Sequence, residues 1–240
     1  MIGQVCISTN FVQKYKKKVK FNQVNKTRFL EATVILNAKS GSRTIIYNPG
    51  QQECLNYNEF IDAVKDKKYS WIHFEGLPNV KEMLIWMKNE RNVRNDKISL
   101  EIEKPNEERK SLMFDAINLK LIDVLFVSKD VSMYLGAKSL KESIQIFKNF
   151  DLHQIIVIFT WGDQGAAGID KNGEEIFVSA SKVDYIVDTC GAGDTFTSGV
   201  ISSLLKEFNL KTALQNGCIY AAKKIQQKGM KNLHLLRLRS

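Results

Sequence analysis

Proline is scarce in this chain, with three in 240 residues, and no Pro-, Gly- or Ser-rich stretch marks a linker. Cysteine is scarce too. Cys6, Cys54, Cys190 and Cys218 lie far apart with no Cys-x-x-Cys or Cys/His spacing, which argues against a zinc site and against a disulfide framework. A reducing, cytoplasmic setting is the expectation. Long apolar runs are missing as well: Ile155 to Trp161 (IIVIFTW) has strand length, so no membrane partner is expected. The first 21 residues contain no acids, but they also contain no arginine and no continuous apolar segment, and neither a signal peptide nor a transit peptide is expected. Internal repeats and low-complexity tracts are absent.

What is present is enough apolar material, 44% of residues, for one large α/β domain or two small ones. The formal charge of +9 suits a phosphate-bearing partner, because basic surface concentrates anions. Its densest part, Lys14 to Lys20 (KYKKKVK), has one tyrosine and no stacking or base-reading pattern. We read it as a solvated lysine-rich face, and no nucleic-acid partner is expected.

Strand-like runs alternate with helical patterns, the order of a mostly parallel sheet covered by helices on both faces. WIHFE from Trp71, KISLEI from Lys97, IDVLFV from Ile122 and QIIVIFT from Gln154 are the strands. Val80, Met83, Leu84 and Met87 recur at helical spacing between the first two strands and predict a core-facing stripe. Further helices are predicted over EERKSLMFDAI and SLKESIQIFKNF, then from Asp194 and from about Lys211. Two hairpins break the alternation: Ala32 to Tyr47, around a Lys-Ser-Gly turn, and a second whose Asn172-Gly173 pair favours a tight turn. The first is expected to form a flap outside the main sheet.

The stretch most suggestive of chemistry is VDTCGAGDTF, from Val187. Gly191 and Gly193 permit close backbone approach, and a glycine turn feeding a helix start gathers unpaired N–H groups that attract anions. The apolar residues that follow, among them Phe196, Val200 and Leu204, would fix those amides by packing. The alternative is that Asp194 is an ordinary N-cap that accepts its own helix amides. Gly162, Asp163, Gln164 and Gly165 read by themselves as a plain strand-to-hairpin turn. Glu101 and Glu103, at i and i+2 of a strand, point to one face, as a solvated or ion-paired edge does.

The signature D-T-C-G-A-G-D resembles that of the PfkB (ribokinase-like) carbohydrate kinases. SGSRTIIY, WIHFEG, EIEKP, VLFVSKDV and NGCIYAAKKI are similar to the ketohexokinase branch of that family, over about Ala32 to about Gly229. The resemblance implies a doubly wound α/β fold with a small β flap at about 32–47, a carbohydrate-kinase domain over 32–240 and a divergent basic segment over 1–31. It implies phosphorylation of a ketose, fructose at its 1-hydroxyl, by ATP with Mg2+, which Glu101 and Glu103 would assist through water. It makes Asp194 the catalytic base and sugar contact, and the amides of Gly191, Ala192 and Gly193 an anion hole. ATP contacts then extend to Arg43, Gly162, Asp163, Gln164, Gly165, Asn216 and Cys218. A homodimer joined through the flap is implied too. Ser128 to Val131 (SKDV) stands where the wider family has Asn-x-x-Glu. The sugar-binding aspartate and Gly-Gly-Asn segment that the family carries near its start are not found before Ala32, so a kinase domain missing its N-terminal portion is expected. The alternative is a non-catalytic isoform that binds nucleotide or associates with full-length subunits.

Overall fold

The computed structural model describes residues 32–37, 43–48, 55–90, 95–230, 232–233 and 238. The lysine run and the expected 31/32 boundary lie outside the described residues. The chain divides into two compact units, Met1–Lys68 and Tyr69–Ser240.

In the first unit, β1 (Ala32–Asn37) and β2 (Arg43–Asn48) pair antiparallel, in register from Ala32↔Asn48 to Asn37↔Arg43. They form a two-stranded sheet of their own, as β-branched runs around a turn predict. Helix α1 (Tyr57–Val64) opens with a capping box, in which Asn56 Oδ1 accepts the Glu59 N–H and Glu59 Oε2 accepts the Asn56 N–H, both at 3.0 Å.

The second unit is built on a six-stranded sheet of order β3-β4-β5-β6-β7-β8. Strands β3 (Trp71–Glu75), β4 (Lys97–Ile102), β5 (Val124–Val127) and β6 (Ile156–Thr160) are parallel. The hairpin β7 (Ala166–Ile169) and β8 (Glu175–Val178) adds two antiparallel strands, turning at Gly173 with φ +85°. The crossovers contain α2 (Val80–Asn89), α3 (Glu107–Asn118), α4 (Lys129–Tyr134) and α5 (Leu140–Phe147), and α6 (Ala192–Leu204) and α7 (Leu210–Ile225) follow the hairpin. The predicted stripe of α2 (Val80, Met83, Leu84 and Met87) is buried.

Alternation along the strands sorts side chains between two apolar layers. Val124, Phe126, Ile156 and Ile158 pack with Phe196, Val200, Leu210, Leu214 and Cys218 of α6 and α7. On the other face Phe159 meets Phe147 of α5 edge to face, with ring centroids 5.0 Å apart. Helices therefore cover both faces, and the carboxyl ends of four parallel strands open along one edge.

Candidate active site

In an open parallel sheet, ligands bind beyond the carboxyl ends of the strands, where helix N-termini and loops converge. Glu75, Glu101 and Glu103, Ser128, and Gly162 to Gly165 all lie at those ends in β3, β4, β5 and β6. The topology thus gathers segments more than 60 residues apart onto one edge.

The glycine turn leads into α6. Gly191 is the N-cap, in the left-handed region at φ +78° and ψ 14°, with no side-chain cap. A Cβ at this position would lie 2.0 Å from Met230 Cε, so both conformation and space call for glycine. The first full helical bond runs from the Thr195 N–H to the Gly191 carbonyl at 3.0 Å, and Thr195 Oγ1 donates to the same carbonyl at 2.7 Å. This corrects both expectations for the helix start. The helix begins two residues before Asp194, and Asp194 is its third residue rather than its N-cap, on an exposed part of the first turn. The Ala192 N–H, expected to face an anion, donates to the Thr189 carbonyl at 3.2 Å.

The turn is anchored from outside itself. Asp188, which opens the signature, accepts the Cys190 N–H through Oδ1 at 3.0 Å and the Gly229 N–H through Oδ2 at 3.2 Å. Lys224 of α7 donates to Asp188 Oδ2 at 3.0 Å and to the Asp188 carbonyl at 2.9 Å. These hydrogen bonds, from the Cys190 amide first and then Lys224, hold the Asp188 carboxyl down at about 2. The N–H groups of Val187 and Asp188 both donate to the Ile225 carbonyl, at 2.7 and 3.1 Å. Neither Asp188 nor Lys224 stands out in sequence. They are 36 residues apart, and only the position of Asp188 in the signature points to it.

Beneath this turn runs a polar line on one sheet face. Ser99 Oγ takes the Trp71 Nε1–H at 2.8 Å and sits 2.7 Å from His73 Nδ1. His73 Nε2 is 3.2 Å from Glu101 Oε2, and Thr197 Oγ1 of α6 makes a long 3.5 Å contact to Glu101 Oε1. Glu101 is thus held on the sheet face between His73 and Thr197. Glu103 keeps a solvent-accessible side, but the protein atoms crowding it push its carboxyl above the ordinary range. Lys104 opposes that shift, and the charges of Glu101, Asp194 and Glu75 add to it. The carboxylate of Asp194 therefore shares its surroundings with a row of acids. Among the described residues no group of three or more His, Cys, Asp or Glu is placed to hold a metal ion directly.

Ser128 caps α4, accepting the Val131 N–H at 3.2 Å and donating to the Glu103 carbonyl at 2.6 Å. This ties the SKDV segment to the end of β4. Gly162, Asp163 and Gln164 form a single exposed 3₁₀ turn between β6 and β7. Gly165 closes it at φ +101°, where a Cβ would sit 2.1 Å from the Val178 carbonyl oxygen. Immediately before it, buried Trp161 carries the Lys129 ammonium over its ring, 5.7 Å from the centroid.

The remaining expected contacts lie elsewhere. Asn216 is 1% exposed and donates to Ser203 Oγ at 3.0 Å, bridging α7 to α6. Cys218 belongs to the core cluster, where burial pushes its thiol up to about 11. The two side chains are buried by helix packing. Arg43 pairs through its backbone with Asn37 in the first unit, and its side chain lies outside the described residues. A cavity of about 800 Å³ opens at the opposite edge of the sheet, between Trp71, Lys97, Val124 and Leu204, and none of the expected site residues lines it.

Comparison with known proteins narrows the assignment. The chain is 32% identical to mouse (Mus musculus) ketohexokinase over 202 residues, which is 81% of this chain and 65% of that protein. It is 38% identical to an ATP-dependent 6-phosphofructokinase of Thermoanaerobacterium thermosaccharolyticum over 108 residues, 45% of this chain and 33% of that one. A probable sugar kinase from Rhizobium etli has the same fold, with a TM-score of 0.69 at 21% identity over 85% of this chain and 63% of the other. So does a Cryptococcus neoformans ribokinase solved with ADP, at a TM-score of 0.64 and 18% identity over 85% of this chain and 68% of that one. The chain thus spans a little under two thirds of the mouse relative's length. Residues 16–235 match the sequence profile of the pfkB family carbohydrate kinases, and the chain belongs to that family.

Proposed function

We propose that this chain transfers the γ-phosphoryl group of ATP to a hydroxyl of a ketose, with fructose and its 1-hydroxyl as the specific reading. One observation carries the proposal: the signature turn builds a helix N-terminus with Asp194 in its first turn, at the strand edge where open α/β sheets bind ligands. The 32% identity to ketohexokinase supports fructose as the acceptor.

Phosphoryl transfer asks a protein for positioning and charge stabilisation. The α6 N-terminus supplies a positive dipole end, and the amides of Gly191 and Gly193 meet the phosphoryl oxygens, while that of Ala192 is held by the Thr189 carbonyl. Asp194 accepts the proton of the attacking hydroxyl. Its exposed place on the first turn leaves room for a sugar between it and the phosphate. Gly162, Asp163, Gln164 and Gly165 form the turn against which the nucleotide lies.

The acidic row suits a divalent cation held chiefly by phosphates and water, with Glu101 and Glu103 reached through water, because a nearby positive charge favours the ionised Glu103 that burial and the neighbouring acids disfavour. When bound, Mg2+ neutralises charge on the transferred phosphate. The β1–β2 hairpin pairs only within itself among the described residues, and a two-stranded sheet is marginal alone. That supports its use as a dimer contact, which a molar mass in solution would test.

The deciding experiment is ADP release in the presence of ATP, Mg2+ and a panel of sugars. Release that depends on fructose is expected; a preference for an aldose or a nucleoside would replace the ketose reading.

A further inference from the structure

A lysine without solvent is unusual, since an ammonium leaves water at a high cost unless it is paired and hydrogen-bonded. Lys224 is such a residue: its side chain is 1% exposed near the C-terminal end of α7. It reaches neither the surface nor the core cluster of α6 and the sheet. It ends on the carboxylate and the backbone carbonyl of one residue, Asp188, immediately under the glycine turn. Asp188 in turn holds the Cys190 N–H, three residues before Gly193.

We infer that Lys224 is a positioning residue, a tethered cation that sets the shape and charge of the phosphate-binding turn through Asp188. The inference rests on the kinase reading for its purpose, but its geometry stands by itself. Two consequences follow from the contacts. The ammonium fixes both ends of the Asp188 dipole system, side chain and carbonyl, so the carboxylate cannot swing up toward the anion that the amides are to receive. It also balances the negative charge of Asp188, which would otherwise lie close below the bound phosphates and oppose them. The bonds from Val187 and Asp188 to the Ile225 carbonyl place this cation at the joint between the turn and α7.

The test uses the full chain and two readouts, amide hydrogen exchange of the Val187–Thr195 segment and equilibrium binding of ATP with Mg2+. Lys224→Ala should speed exchange across the turn and weaken ATP binding about ten- to a hundredfold, the scale on which outer partners of a binding site act. Millimolar ethylammonium, which fits the space left by the removed chain, should restore both in Lys224→Ala and leave the wild type unchanged. Asp188→Asn combined with Lys224→Met removes both charges and guards against simple misfolding. It should keep the thermal transition and still bind ATP weakly. Wild-type exchange rates in Lys224→Ala, or wild-type ATP affinity in the double variant, would overturn the inference. If the wild type binds no ATP yet the turn loosens in Lys224→Ala and tightens with ethylammonium, the positioning role holds and the kinase reading falls.

Discussion

Two glycine turns stand on the same edge of the sheet, and they are held in different ways. The turn of Gly162 to Gly165 is closed by its own backbone: the Trp161 N–H donates to the Gly165 carbonyl at 2.8 Å, and those of Gln164 and Gly165 donate back within the turn at 3.2 Å. The turn of Gly191 to Asp194 borrows its geometry from α7, through Asp188, Lys224 and the Ile225 carbonyl. A turn closed locally is set by a few neighbouring residues and serves as a surface. A turn held from a remote helix has its amides and its carboxylate aimed by the core, which suits the end where charge must be placed accurately.

The contrast can be tested, beginning with the largest effect. Asp194→Asn should reduce sugar-dependent ADP release by about 10²- to 10⁴-fold, the range for a positioned base, with ATP affinity nearly unchanged. Equal turnover in the variant would remove Asp194 from the chemistry. The glycines should then separate fold from function. Gly165→Ala drives a Cβ against the Val178 backbone, which cannot yield, and should lower the thermal transition by a strain of about 1–3 kcal/mol. Gly191→Ala meets only the end of the Met230 side chain, which can move aside. Its stability cost is then the left-handed backbone strain alone, about 1–2 kcal/mol, and its larger effect should be weaker ATP binding, by about tenfold for a displaced turn. If the two variants behave alike in melting and in binding, the distinction between the turns fails.

Acid titration gives a smaller effect. The folded carboxyl of Asp188, at about 2, lies below its ordinary value near 4, so its contribution to stability is complete above about pH 4 and is lost as pH falls toward 2. Asp188→Asn should flatten the part of the unfolding curve that falls in this window. The smallest effect is chemical. Cys218, buried with its thiol raised to about 11, should resist alkylation in the folded chain, whereas half-buried Cys190 should react and be protected by ATP. Alkylation of Cys190 that is indifferent to ATP would place the nucleotide away from the turn.

Much of the sheet was legible because its signals are local. Four β-branched or apolar runs became β3 to β6, and Asn172-Gly173 turned the β7–β8 hairpin as the pair predicts. The capping box of Asn56 and Glu59 is an equally local signal for α1, a helix the periodic runs do not mark. The helix start at α6 was displaced by two residues because side-chain capping rules favour an aspartate, whereas here a left-handed glycine occupies the N-cap. Asn216 and Cys218 show a different limit: a resemblance along α7 carries over positions but does not say that both side chains are buried there. The support under the turn was illegible for a simple reason. Nothing in a local window connects residue 188 with residue 224, and a buried lysine looks in sequence like any surface one.

Trp161 gives the edge a spectroscopic property. The chain has three tryptophans, Trp71, Trp86 and Trp161, and only Trp161 adjoins the Gly162 to Gly165 turn. An ammonium over an indole face perturbs the ring electrostatically, and Lys129 is the nearby cation able to swing toward an incoming anion. Withdrawal of that charge would change the field at the ring, so a shift in Trp161 emission on adding nucleotide, read without any added dye, would report whether this edge is occupied.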